Sequence, residues 1–250
     1  ALDSILEIDP GYESKVATQL QNSMTQSSEG LPVEEMYKFN TAVFYNMEFD
    51  EKGKSSIVEY VMWFSENESY MATQVKNASS KASEKENMPA SMFTVLDEKN
   101  KAMIVFMEEQ KIAQLLSMDS LKELSELENE SEEIDNDYTD LKKSGKTKKI
   151  LGYDCEEFIS ENAENKFSMW VTQDLDLYQK NMFFSLNESL GGKKFSHITN
   201  EAKGFILEMY FENLGNGEKG KMLVTKIDKQ LKSIEPSQYQ FMNLNQFMQN

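Results

Sequence analysis

The sequence contains no arginine and only one cysteine and one histidine. All 26 basic residues are lysine, and 43 acidic residues give the chain a net charge of −17. A chain this acidic lacks the basic surface that a nucleic-acid backbone requires, so we predict no nucleic-acid partner. The absence of arginine also removes the guanidinium fork that commonly binds carboxylates and phosphates through two hydrogen bonds.

The single cysteine, Cys155, and the single histidine, His197, leave few routes to catalysis or metal binding. One cysteine cannot form an internal disulfide, and one cysteine with one histidine cannot complete a Cys/His zinc site without carboxylate ligands. We expect Cys155 to be buried and inert, because Asp154, Glu156 and Glu157 raise the pKa of a neighbouring thiol rather than activating it. We therefore predict a protein that is not an enzyme, with no catalytic residue, no metal site and no cofactor.

Long hydrophobic runs are also missing. No stretch reaches the roughly 18 consecutive apolar residues that a membrane-spanning helix needs, so we predict no transmembrane segment. Apolar residues instead alternate with polar ones, the pattern of a strand with one buried face. The longest such segment, Tyr37–Phe49, is predicted to be one strand that joins a second strand, Ile57–Phe64, through a turn at Asp50–Lys54. Further strands are predicted at Tyr70–Val75, Met92–Leu96, Ala102–Met107, Lys111–Met118, Thr147–Ile150, Asp154–Ile159, Phe167–Thr172, Phe205–Glu212 and Lys221–Ile227.

One long helix is predicted from Asp174 to Leu190, where apolar residues recur at helical spacing before two glycines. The predicted fold class is α+β and mostly antiparallel β. It is a curved open sheet or half-barrel, with this helix packed on its concave face.

The predicted domain organisation has three parts. Residues 1–35 form an N-terminal helical remnant and a loop, and residues 236–250 form a C-terminal tail. Between them, residues 36–235 form a single curved-sheet domain that is interrupted by an acidic connector at 119–143, whose composition offers little apolar surface.

Three glycines reproduce the spacing of a dinucleotide-binding fingerprint, Gly215-x-Gly217-x-x-Gly220. That fingerprint needs a strand before the glycines and a helix after them. Because strand-like alternation flanks the glycines on both sides, we interpret them as a hairpin turn.

Methionine is abundant, with 16 residues. Many lie on predicted strands: Met47, Met62, Met71, Met103, Met107, Met169 and Met209. Two interpretations stay open, an adaptable apolar pocket of the kind found in promiscuous binding proteins, or the ordinary filling of a core.

Two apolar rows on the first two strands form the candidate ligand site. Residues two apart on a strand share a face, and a hairpin brings the two rows together. The predicted ligand-binding residues are Phe39, Val43, Tyr45 and Met47 on the first strand, and Tyr60, Met62 and Phe64 on the second.

A Gly152-Tyr153-x-Cys155 turn and strand is followed by the segment Met169–Thr172 and by Gly204–Glu208. In this order, across about Met36 to Ile234, the motifs resemble the DUF4412 family. The resemblance implies an exported protein of a Gram-negative envelope, periplasmic or associated with the outer membrane. The chain is also distantly similar to LolA-like lipoprotein carriers, whose half-open barrel holds helices or a lipid on its concave face.

Two functions remain open at this point. The first is a non-catalytic envelope protein that binds an apolar or lipid-like small molecule in the concave face of its sheet. The second is a structural or protein-interaction domain whose concave face is filled by its own helix.

Overall fold

The structure is a computed structural model that describes residues 30–51, 54–80, 92–120, 141–163, 165–175, 177 and 204–242. These residues include fourteen strands. The strands are β1 (Tyr37–Phe39), β2 (Thr41–Glu51), β3 (Lys54–Phe64), β4 (Tyr70–Ser80), β5 (Met92–Asp97), β6 (Ala102–Met107), β7 (Ile112–Ser117), β8 (Lys142–Ile150), β9 (Tyr153–Glu161), β10 (Asn165–Thr172), β11 (Phe205–Asn213), β12 (Lys219–Asp228), β13 (Lys232–Ile234) and β14 (Gln240–Phe241). No helix among the described residues is long and apolar enough to cross a bilayer.

Twelve strands form one sheet in the order β14-β7-β6-β5-β4-β3-β2-β12-β11-β10-β9-β8. Neighbours pair antiparallel except β14 and β7, which are parallel. Most neighbours in the sheet are also consecutive in the chain, because antiparallel strands can be joined by short turns. The main exception places the late strand β12 beside β2, which brings the two ends of the domain together. The predicted antiparallel open sheet is confirmed.

Irregularities in pairing bend this sheet. The register shifts at four places in the described strands: Glu59/Tyr60, Lys143/Thr147, Trp170/Val171 and Val224/Lys226. An extra residue on one strand bends that strand and increases its local twist. At the β8 shift, Gly145 has a φ of 83°, a conformation that glycine adopts without steric cost. Register shifts of this kind are typical of a curved sheet.

Strands β2 and β3 contribute alternate residues to two hydrophobic clusters, which lie on opposite faces of these strands. The first cluster extends over β9–β12, and its buried members are Val43, Tyr45, Met62, Phe64, Met71, Leu141, Cys155, Phe158, Phe167, Met169, Val171, Phe205, Ile206, Leu207, Met222 and Val224. The second cluster extends over β4–β7, and its buried members are Tyr37, Phe39, Ala42, Val61, Trp63, Tyr70, Ala72, Phe93, Val95, Ala102, Ile104, Phe106, Ala113 and Ile234.

The small β1–β13 sheet closes the second cluster. Tyr37 on β1 donates its hydroxyl hydrogen to Asp97 Oδ2 at 2.8 Å, and Asn100 Nδ2 donates to the same oxygen at 2.7 Å. Asp97 is fully buried, and buried carboxylates need such donors. At the other end, the ring of Tyr239 meets that of Phe106 edge-on, with centroids 4.8 Å apart. Tyr239 and the β1–β13 sheet therefore pack against this cluster.

The prediction of one strand from Tyr37 to Phe49 is wrong at Asn40. The Asn40 amide donates to the Phe64 carbonyl at 3.0 Å, and the Asn40 carbonyl accepts from the Gln230 amide at 3.1 Å. The chain changes partner here, because β1 pairs with β13 while β2 pairs with β3 and β12. Alternation therefore does not continue across Asn40.

Several other predictions concern parts of the chain that are only partly described. Of the predicted helix, only residues 174, 175 and 177 are among the described residues. Residues 1–29, most of the acidic connector (121–140) and His197 lie outside them. Within the predicted C-terminal tail, Gln240–Phe241 adds strand β14 to the edge of the sheet at β7.

Candidate apolar site on the first cluster

Four methionines lie side by side on four neighbouring strands of the first cluster. Met47 on β2 is opposite Met222 on β12, Met222 is opposite Met209 on β11, and Met209 is opposite Met169 on β10. We call these four residues the methionine row. Directly opposite residues have Cβ atoms about 4.5–5.5 Å apart, so these side chains are neighbours. The row forms a flexible and polarisable floor across the sheet.

An aromatic row runs parallel to the methionine row, one step nearer the hairpin ends. Phe49 is opposite Gly220, Gly220 is opposite Phe211, and Phe211 is opposite Phe167. A Cβ atom on Gly220 would lie 2.2 Å from Phe211 Cε1, so only glycine leaves room for this ring. The rings of Phe49 and Phe211 approach each other across the gap, with centroids 6.4 Å apart.

Two tyrosines lie on the other side of the methionine row. The rings of Tyr45 and Tyr60 are stacked, with centroids 4.8 Å apart and an interplanar angle of 3°. The Tyr60 hydroxyl donates to Met222 Sδ at 3.4 Å. Burial raises the pKa of Tyr60, so its phenol stays neutral at physiological pH. The tyrosines therefore add apolar ring surface to this face without adding charge.

Burial decreases along the first cluster from one end to the other. Val43, Met62 and Phe64 are at most 1% exposed. Met47 and Met209, in contrast, are only partly buried. The cluster is therefore fully buried at the end where β3 finishes. At the end that carries the two rows, Met169 and Met222 are buried while Met47 and Met209 are only partly buried, and we call this the open end.

Six of the seven predicted ligand-binding residues share this first cluster: Val43, Tyr45, Met47, Tyr60, Met62 and Phe64. The placement of Phe39 with them is wrong. Phe39 belongs to the second cluster, where its ring centroid lies 5.5 Å from that of Tyr70 and 5.7 Å from that of Phe93. The cause is the change of partner at Asn40.

A separate cavity of about 680 Å³ lies at the end of the second cluster. Phe39 and Tyr70 form part of its wall, and Leu231, which is 87% exposed, stands beside it. Its remaining lining is largely polar, with Glu34 and Glu68 among the charged residues. This cavity is distinct from the apolar face of the first cluster.

The family model described as "Domain of unknown function (DUF4412)" matches residues 59–241. The chain belongs to the DUF4412 family. The resemblance drawn from the motifs around Cys155 and Trp170 is thereby confirmed. No curated protein matches the sequence.

The DUF4412 chain is also similar to several solved structures. One is an uncharacterized conserved protein from Thermus thermophilus, with 7% identity, 88% of each chain covered and a TM-score of 0.38. A second is MucB, with 10% identity and a TM-score of 0.36, in which the match covers 93% of this chain and 63% of MucB. A third is a putative outer membrane lipoprotein-sorting protein domain from Vibrio parahaemolyticus, with 10% identity, coverage of 86% and 91%, and a TM-score of 0.29.

Cys155 and the glycine-rich turn of this DUF4412 chain are placed as the sequence predicts. Cys155 is 1% exposed, and burial raises the pKa of its thiol. The turn joins β11 to β12, and Asn213 Oδ1 accepts hydrogen bonds from the backbone amides of Gly215 and Asn216. The described residues contain no group of three or more His, Cys, Asp or Glu side chains arranged to hold a metal ion.

Sequence reasoning missed Met222, Gly220 and Phe211 as members of the site. Alternation on β11 and β12 indicates which residues share a face, and Met222 follows that alternation. It gives no signal that β12 lies beside β2, because the two strands are far apart in the chain.

Proposed function

We propose that this protein is a non-catalytic binding protein of the cell envelope that holds an apolar, lipid-like molecule on the first cluster. The observation that carries the proposal is the methionine row at the open end of that cluster. The envelope setting is what the DUF4412 resemblance implies for an exported protein.

The chemistry of the open end favours an apolar ligand. Methionine has three rotatable side-chain bonds and a polarisable sulfur, so a row of methionines adapts to chains of different shape. Met47 and Met209 are only partly buried, and covering apolar surface contributes about 25 cal/mol per Å². A single acyl chain lying along the row would gain several kcal/mol on this scale.

The residues beyond the rows suit a polar head group. Past Phe49 and Phe211, β11 ends at Asn213 and β12 begins at Lys219, and the turn between them contains Glu218. A ligand with its apolar chain over the methionine row would place its polar end at this turn, in contact with water. This arrangement separates the apolar and polar parts of a lipid-like molecule without burying a charge.

The described hydrophobic members of this face include few groups that can ionise. They are tyrosines and the buried Cys155, and burial raises the pKa of the Cys155 thiol. A binding role requires shape and apolar surface, and the partly buried Met47 and Met209 supply apolar surface. These features support a carrier or binding protein over an enzyme.

A structural or protein-interaction domain is the second candidate. Leu175 and Leu177, which follow β10, pack against the first cluster, and the far end of that cluster is fully buried. If the chain after β10 fills the whole face, no ligand is needed. The two candidates differ in whether the open end accepts an added molecule.

The test uses delipidated protein titrated with a fluorescent fatty acid. We expect one probe to bind per chain. Met209→Gln should weaken binding about 10- to 100-fold, because an unpaired amide on an apolar floor costs about 1–3 kcal/mol. Met103→Gln is the matched control, since Met103 on β6 is half-buried and lies outside both clusters.

A second pair of variants separates the two candidates. Tyr45→Ala should weaken probe binding, whereas Phe44→Ala, on the opposite face of the same strand, should not. Tyr45 is 1% exposed, so Tyr45→Ala should cost about 2–5 kcal/mol of stability under either candidate. If the delipidated protein binds no probe, the face is filled by the protein's own chain.

A further inference from the structure

We propose that the methionine row also binds one Cu(I) ion, through the thioether sulfurs of Met47, Met222 and Met209. The row brings neutral, soft sulfur ligands together on one sheet face, and such ligands select Cu(I) among biological metals. This inference uses the sulfur atoms of the row, whereas the proposed apolar ligand uses its hydrocarbon surface, so each can fail without the other.

The register places the three methionines side by side on neighbouring strands. Met222 lies on β12 between Met47 on β2 and Met209 on β11, and each neighbour is directly opposite it. Strands are about 4.8 Å apart, and a methionine side chain can span that distance through its three rotatable bonds. The two outer side chains can therefore lean over Met222 and bring all three sulfurs to one ion.

The three proposed methionine ligands differ in their exposure to solvent. Met222 is 2% exposed, and its sulfur already faces a polar hydrogen, the hydroxyl of Tyr60 at 3.4 Å. Met47 and Met209 are partly exposed, so an ion can reach the row from solvent. Met169, the fourth member of the row, is fully buried, and we do not assign it as a ligand.

The surroundings favour a soft monovalent ion over the common divalent ions. Zinc, calcium and magnesium need imidazole, thiolate or oxygen ligands, and the described residues contain no cluster of three such side chains. Binding to thioethers leaves one positive charge unneutralised. The stacked rings of Tyr45 and Tyr60 lie beside the row, and aromatic faces attract cations. The net charge of −17 also draws cations towards the protein.

The experiment is an anaerobic titration of the delipidated full chain with Cu(I), in competition with the chromophoric chelator bicinchoninate. We expect one Cu(I) per chain. Met47→Leu, Met209→Leu and Met222→Leu should each weaken Cu(I) binding at least tenfold, because leucine keeps the apolar volume but removes the sulfur. Met103→Leu is the matched control and should leave Cu(I) affinity unchanged. Zn(II) should not compete.

Two outcomes would overturn the inference. One is a triple leucine variant that keeps its circular dichroism spectrum and binds Cu(I) as tightly as the unmodified chain. The other is loss of Cu(I) binding in Cys155→Ala with all four methionines of the row intact, which would make the thiol the ligand.

The fatty-acid probe distinguishes failure here from failure of the proposed function. Leucine substitutions preserve the apolar floor, so the triple variant should still bind the probe while losing Cu(I). If the protein binds the probe but no Cu(I), only the proposed metal site is wrong. If the protein binds Cu(I) but no probe, the metal site is supported and the proposed lipid-like ligand is wrong.

Discussion

The two hydrophobic clusters share strands β2 and β3 but differ in how they are covered. The second cluster lies beneath β1, β13 and Tyr239, and the buried Tyr37–Asp97 hydrogen bond holds one of its ends. The first cluster is fully buried at one end. At its other end, Met47 and Met209 of the methionine row are only partly buried. The described members of this cluster that lie outside the strands are Leu141, Leu175 and Leu177.

This difference indicates a division of roles between two faces of the same strands. A closed cluster with its own cover contributes stability, because its side chains are removed from water in every folded molecule. A cluster with a half-buried end can exchange what covers it. The side on which a residue of β2 points therefore decides whether its substitution can affect binding as well as stability, even when the residues are adjacent.

The largest expected effect is the loss of stability when a buried ring of the second cluster is removed. Phe93 is fully buried, and its ring lies 5.7 Å from Phe39 and 6.4 Å from Trp63 between centroids. Phe93→Ala leaves a cavity there and should cost about 3–5 kcal/mol of unfolding free energy, measured by denaturant unfolding. The apolar-probe affinity of the remaining folded protein should not change.

The control for this variant is Phe241→Ala on β14, where the side chain is 39% exposed. Its cost should stay within about 0.5 kcal/mol, as for most surface substitutions. A small loss for Phe93→Ala, or a loss of probe binding with it, would contradict the division between the two clusters.

Local alternation was sufficient to predict most of the sheet. Each strand predicted after Phe64 overlaps an observed one, because alternation follows from burial of one face and needs no knowledge of distant partners. The β2–β3 hairpin was predicted for the same reason. In the observed hairpin, Tyr45 is opposite Tyr60 and Val43 is opposite Met62.

The remaining features depend on contacts between distant parts of the chain. The predicted Tyr37–Phe49 strand is interrupted at Asn40 because Phe39 pairs with Lys232. No residue near Phe39 in the sequence predicts that pairing. The methionine row likewise depends on β12 lying beside β2. Alternation assigns Met47 and Met222 to a face, but only tertiary pairing makes them neighbours.

A smaller effect tests how closely the open end is packed. In Gly220→Ala the new Cβ would lie 2.2 Å from Phe211 Cε1, so the ring must move. We expect a loss of about 1–3 kcal/mol in denaturant unfolding, the usual range for overpacking. In a Phe211→Leu background the same substitution should cost clearly less. Equal costs in both backgrounds would mean that Phe211 does not limit the space above Gly220.

The smallest expected effect is a difference in how two tyrosines, one from each cluster, make the protein's stability depend on alkaline pH. Burial, followed by the hydrogen bond to Asp97, raises the pKa of Tyr37, and burial raises that of Tyr60. An unfolded tyrosine ionises near pH 10, so above that pH the unfolded chain loses a proton that the folded chain keeps. Stability therefore falls as pH rises, by up to about 1.4 kcal/mol per pH unit for each such tyrosine.

Replacing either tyrosine with phenylalanine should remove its share of this slope, which is measured by denaturant unfolding at several pH values from about 9 to about 11. We expect Tyr37→Phe to flatten the slope more than Tyr60→Phe. Tyr37 is fully buried in the closed cluster and ionises only on global unfolding, whereas the half-buried Tyr60 can ionise by local opening beside the methionine row. Equal flattening by the two variants would mean that the first cluster is as firmly closed as the second, and would favour the structural candidate over the binding protein.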